Sequence, residues 1–270
     1  SHYVPADSAL DAEAYERATS VYLVDRTIPM LPEKLSNVVC SLRPEEDKLA
    51  FSCIMEVTPA GDVADYQIRE TVIHSKRRLT YDEAQTFIQG GYPDDPVASN
   101  VVQANRLAKT LTKKRMREGS VDFDLDEVKV LLDDAGHPTE VVRKERMAAN
   151  RLVEEFMLLA NRTVAKHIGG PKGERLPSTN GQDEPLPFLY RVHDMPDAEQ
   201  IQQLAEYVRV FGYELKLTDG NATSQDLNRL IEQVKGSPEE PVITRAALRA
   251  MSKAKYAVAN IGHYGLGFDY

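Results

Sequence analysis

Two strand-like runs, residues 48–57 (KLAFSCIMEV) and 63–74 (VADYQIRETVIH), are separated by only Thr58-Pro59-Ala60-Gly61-Asp62. Parallel strands need a crossover of a dozen or more residues, so a five-residue link allows only an antiparallel hairpin. A second pair of runs, 127–132 and 139–143, flanks the turn-forming Asp133-Asp134-Ala135-Gly136-His137-Pro138. The remaining periodic stretches read as helices: 7–19 with Asp7 or Ser8 as cap, 80–89, 97–118, 144–168, 196–211, 224–235 and 238–256. Thr80 and Glu83 stand three apart as a capping box, and Gly90-Gly91 ends that helix. A short strand is expected at 188–192. Strands and helices do not alternate in βαβ order. The fold class is therefore α+β, with antiparallel hairpins packed against several helices.

Two stretches break the pattern. Residues 20–42 (SVYLVDRTIPMLPEKLSNVVCSL) carry two prolines and no clear period, and are expected to be irregular. Residues 169–187 are rich in Gly, Pro, Ser, Asn and charge, as in a flexible surface loop. The net charge of −9 argues against a globally basic nucleic-acid binder. Any nucleic-acid site must be a local groove, unless phosphates are bound by parts outside this sequence. Cys40 and Cys53 are the only cysteines and form no C-x-x-C pair. They speak against structural zinc and for a reducing cytoplasm, with a pairing of the two open if they lie close in space. No apolar run is long enough to span a bilayer.

The 20–42 stretch, with Tyr22, Pro29, Pro32, Leu35-Ser36 and Cys40-Ser41-Leu42, resembles the heart of the catalytic (RNB) domain of ribonuclease II and ribonuclease R. Further matches follow in the same order. Arg78-Leu79-Thr80-Tyr81-Asp82 is similar to R-L-[TV]-Y-[DE], and Gly119-Ser120-Val121-Asp122-Phe123 to the segment after the long helix. Residues 150–161 (NRLVEEFMLLAN) resemble the L-[IV]-E-E-x-M-x-x-A-N helix. Leu189-Tyr190-Arg191-Val192-His193-Asp194 is similar to L-Y-R-V-H-[ED] and places the resemblance nearer ribonuclease R. Gly262-His263-Tyr264-Gly265-Leu266-Gly267 resembles G-H-[FY]-G-L.

The resemblance implies a processive 3′→5′ exoribonuclease that degrades single-stranded RNA to nucleoside 5′-monophosphates with Mg²⁺. It implies single-stranded RNA as partner, with no DNA and no membrane. The family's four metal-binding aspartates lie before the point where the matched segment starts. Its arginine-bearing T-S-P-I-R-[RK]-Y segment lies after the point where it ends. The cold-shock and S1 domains are not matched either. Residues 1–270 are therefore expected to be a partial, central part of the catalytic domain, inactive alone and holding neither metal ligands nor a complete catalytic set. The alternative is a catalytically dead RNB relative that serves as an RNA- or protein-binding scaffold.

Individual residues carry two readings. Tyr81, at a helix start, is a packing aromatic on its residue type. Glu154 and Glu155 are carboxylates at the rim of an apolar stripe of Leu152, Val153, Phe156, Met157 and Ala160. By resemblance, Tyr81 and Glu154 select ribose through its 2′-hydroxyl. Tyr22 and Phe123 are core aromatics on type; by resemblance they clamp the stacked 3′-terminal bases. Arg106, Lys109, Lys113 and Arg117 share one helical face, either a solvated surface or a set of phosphate contacts. Asp122, Asp124, Asp126 and Glu127 read as a solvated loop or strand edge. His193 has no second ligand at metal spacing and reads as structural.

Overall fold

The computed structural model describes residues 2–123, 127–169 and 188–268. They form helices and two-stranded sheets, the α+β class. The chain divides into two units: Ser1–Ser52 with Ile68–Glu83 and Asp126–Arg146, and Cys53–Gln67 with Ala84–Leu125 and Met147–Tyr270.

In the first unit, helix α1 (Ala9–Arg17) starts where the Ser8 hydroxyl accepts from Asp11 N at 3.2 Å. The proline-bracketed stretch is more ordered than expected. Val21–Tyr22 (β1) pairs antiparallel with Thr27–Ile28 (β2), and Lys34–Val39 makes a π-helical turn. Leu23 N donates to Arg26 O at 2.8 Å to close the hairpin, and Met30 N donates to Ser20 Oγ at 3.0 Å. Pairings two residues long leave no periodic trace in a sequence. The first long hairpin forms as expected from β3 (Asp47–Val57) and β4 (Val63–His74), with its turn-side part, Cys53–Gln67, belonging to the second unit. Helix α2 (Tyr81–Ile88) opens on the expected capping box: Thr80 N donates to Glu83 Oε2 at 2.7 Å and Glu83 N to Thr80 Oγ1 at 3.2 Å. Strands β5 (Glu127–Leu132) and β6 (Pro138–Lys144) pair across a turn in which Asp133 Oδ1 accepts from Ala135 N and His137 N.

In the second unit, α3 (Pro96–Arg117) is capped by Asp95 and packs along α4 (Ala148–Gly169). Helix α4 starts four residues later than its composition suggests, because Lys144 is still paired with Glu127 in the β5–β6 sheet. The expected loop 169–187 lies, from residue 170 onward, outside the described residues.

Strand β7 (Tyr190–Val192) leads to α5 (Ala198–Val210), α6 (Ser224–Val234) and α7 (Glu240–Ala250). These three helices close over a core of Ile201, Leu204, Val208, Leu227, Leu230, Val234, Ile243 and Ala247. Each helix contributes residues three and four apart. The Thr223–Asp226 capping box fixes where α6 begins. Helix α7 stops at Ala250, short of the 256 expected, because Lys255–Ala257 (β8) pairs antiparallel with β7. That partner lies more than sixty residues away and no local period announces it.

Candidate functional site

The α3–α4 interface holds a buried ion pair. Arg115 and Glu155 are 7% and 4% exposed. Arg115 Nη2 lies 2.7 Å from Glu155 Oε1, and Nε lies 3.2 Å from the same oxygen. The Thr112 hydroxyl also lies 3.0 Å from Glu155 Oε1. Arg115 Nη1 donates to Ser120 Oγ, and that hydroxyl donates on to Gly265 O at 3.3 Å. Asn228 Nδ2 donates to Ser120 O at 2.8 Å, and Val121 N to Gly265 O at 3.0 Å. The tight turn after α3 needs Gly119, whose φ is +104°.

Glu154 stands at the rim of this pair, its side chain 32% exposed and Oε1 3.7 Å from Arg115 Nη2. The apolar stripe expected on α4 is only partly covered: Leu152, Phe156 and Ala160 are half-buried and Val153 and Met157 are 48% and 55% exposed, while Ala149, Glu155 and Thr163 are buried. The buried arginine accounts for the inversion, since it draws the carboxylate inward. Arg115 belongs to the basic stretch 113–117 (KKRMR), and four basic residues within five positions give no sign that one of them turns inside.

The other expected site residues are distributed as follows. Tyr22, in β1, is 80% exposed, and Tyr81, at the first position of α2, is 47% exposed; both belong to the first unit. Phe123 and Glu154 belong to the second, where Phe123 packs partly buried against the α5–α7 core. Asp122 Oδ2 lies 3.7 Å from Arg151 Nη1, and Glu127 pairs with Lys144 at 2.7 Å; Asp124 and Asp126 lie outside the described residues. Arg106, Lys109, Lys113 and Arg117 are exposed along α3 and make no ion pair among the described residues. Lys114 turns the other way, to Gly61 O and Asp62. Cys40 and Cys53 are both free thiols.

His193 has both ring nitrogens engaged within the fold. Gly265 N donates to its Nδ1 at 3.1 Å, so Nε2 carries the proton and donates to Ser252 O at 2.7 Å. A Cβ on residue 265 would stand 2.8 Å from His193 Nδ1, which explains the glycine there. The His263 ring packs edge-on to His193 at 4.9 Å, with its own Nδ1 buried and without a hydrogen-bond partner. Burial first, then the neighbouring His193, pushes the His263 pKa down to about 4. The unfolded chain therefore binds a proton that the folded chain refuses between about pH 6.5 and 4. Stability from this residue is complete above that window and lost as pH falls through it. Thermal melts from pH 7 to 4 are expected to fall, and His263→Asn to flatten the fall; an unchanged slope would remove His263 as the cause.

Among the described residues no three His, Cys, Asp or Glu side chains are grouped to hold a metal ion. A groove of about 850 Å³ runs between α5 and α7, lined by Gln200, Gln203, Tyr207, Val242, Arg245 and Arg249 among others. No described helix is long and apolar enough to cross a membrane.

A family model described as RNB domain matches residues 1–270. Ribonuclease R of Aquifex aeolicus is 40% identical over 274 residues, covering 100% of this chain and 37% of its own length. Ribonuclease R 1 of Lactococcus lactis is 38% identical over 273 residues, covering 100% of this chain and 32% of its own. The chain thus spans about a third of the length of these curated relatives. Among solved structures, Mycoplasma genitalium RNase R in complex with ribose methylated single-stranded RNA aligns with a TM-score of 0.86 at 26% identity, over 99% of this chain and 40% of that one.

Proposed function

Because this chain belongs to the RNB domain family over its whole length, we propose that it is the central part of a 3′→5′ exoribonuclease that hydrolyses single-stranded RNA to nucleoside 5′-monophosphates. The observation that carries this reading is the whole-length likeness to an RNase R solved on single-stranded RNA. Tyr22 offers an exposed ring on which any base can stack, and Phe123 is the second stacking aromatic. Tyr81 and Glu154 supply a phenol and a carboxylate for the ribose 2′-hydroxyl, the group that separates RNA from DNA. Arg106, Lys109, Lys113 and Arg117 face phosphates. The magnesium ligands of the intact enzyme belong outside the described residues. The free thiols of Cys40 and Cys53 suit a reducing cytoplasm.

The test uses the full-length protein and a 5′-labelled single-stranded RNA. One-nucleotide shortening from the 3′ end with release of 5′-monophosphates is expected. Tight binding with no shortening would establish the scaffold reading instead.

The 270-residue chain alone is expected to leave RNA uncut and to bind it weakly. Four cations contacting a single strand give a log–log salt slope of about −3. Affinity should then drop about twentyfold when salt is raised threefold. Fluorescence titration of a labelled strand measures this. Replacing Arg106, Lys109, Lys113 and Arg117 with glutamine should flatten the slope, and an undiminished slope would mean that the phosphate contacts lie elsewhere.

A further inference from the structure

Arg115 is a buried cation facing two carboxylates that do different things. Neighbours on a helix point about 100° apart, so Glu155 enters the α3–α4 interface while Glu154 stays at its rim, 32% exposed. The guanidinium fork has five N–H donors. Nε and one side of Nη2 hold Glu155, and Nη1 holds Ser120, which is itself fixed through Asn228 and Gly265. Nη2 then stands 3.7 Å from Glu154 Oε1. The solvent-reaching carboxylate is thus placed against a guanidinium already held by Glu155 and Ser120.

We propose that Arg115 is a positioning residue for ribose recognition: it sets where the Glu154 carboxylate stands, and so whether that carboxylate can accept from a 2′-hydroxyl. The inference rests on the reading of Glu154 as a ribose-recognising residue. A binding constellation works only when a rigid surrounding shell holds it within about 0.5 Å. A lysine could not replace the fork, because an ammonium is a point charge without a second aligned donor.

Arg115→Ala alone would strand a buried carboxylate and could unfold the domain. The informative variant is Arg115→Met with Glu155→Met. It removes the buried pair as a unit, a change that is often neutral for stability, and takes the Arg115 guanidinium away from Glu154. In the full-length protein this variant should melt close to the parent. Its ratio of kcat/KM on RNA to that on the matching strand with deoxyribose at the 3′ end should fall about tenfold, the loss of one charged hydrogen bond. Glu154→Gln should lower the ratio similarly, and combining it with the methionine pair should lower it no further.

Two results would overturn the proposal: an unchanged ratio in the methionine pair while Glu154→Gln lowers it, or losses that multiply when the changes are combined. If Glu154→Gln itself leaves the ratio intact, the ribose reading of Glu154 fails first and the role of Arg115 falls with it.

Discussion

Glu155→Ala in this chain is expected to lower its unfolding free energy by about 3–5 kcal/mol. Glu155 is 4% exposed and Arg115 7%, so the change leaves a guanidinium in the interior facing a void. Ser120 and Thr112 keep their places but lose the carboxylate that balances the charge beside them. Urea unfolding with an unchanged m-value measures the loss. The opposite control is Glu127→Gln, which breaks the Lys144–Glu127 pair on the surface; solvent screens that pair, and the midpoint should barely move. A loss of less than about 1 kcal/mol for Glu155→Ala would mean that the interior pair is not buried in solution.

Tyr81→Phe combined with Glu154→Ala in the full-length protein should reduce the preference for RNA over DNA by about a hundredfold. A site built to hydrogen-bond a hydroxyl rejects the analogue lacking it because its own polar groups go unpaired. Removing a phenol and a carboxylate deletes two such groups, each worth about tenfold or more. Loss of discrimination should come from slower RNA cleavage and faster DNA cleavage together. Tyr22→Ala should behave differently: it removes a stacking platform worth about 1–3 kcal/mol per base, so it should weaken binding and alter the length of the final product while leaving sugar preference nearly unchanged. Comparison of kcat/KM on paired ribose and deoxyribose 3′ ends decides it. A double variant that keeps its full ratio would remove Tyr81 and Glu154 from sugar selection.

Local chemistry made much of this fold legible. The Thr80–Glu83 capping box starts α2 in the place its residues indicate, and the five-residue link between β3 and β4 permits nothing but a hairpin. What escaped the sequence depends on partners far along the chain. β8 hides inside an apparent extension of α7 because its pairing partner is β7. The β1–β2 hairpin is too short to show alternation. On α4, helical period alone assigns the interior to Leu152, Val153, Phe156, Met157 and Ala160, yet Val153 and Met157 are exposed and Glu155 is buried. The reason is Arg115, forty residues earlier, whose charge makes a carboxylate the better-buried neighbour. The proposed site residues Tyr22, Tyr81, Phe123 and Glu154 rest on motif resemblance alone, since as residue types they are ordinary core aromatics and a helix-rim acid.

The turn after α3 has a consequence for synthesis. Ser120 Oγ and Val121 N both donate to Gly265 O, and the serine lies 145 residues before that acceptor. Gly267 presses so closely on the same turn that a Cβ there would stand 2.8 Å from Ser120 N. A ribosome adding about 5–20 residues each second needs roughly 7–30 s to pass from one side of this contact to the other. During that interval the end of α3 has left the ribosome without its closing segment, and its donors remain in water. The ion pair behind it is then open to exchange, so the nascent domain acquires its hardest-to-bury charges early and closes over them only once Gly265 has been added.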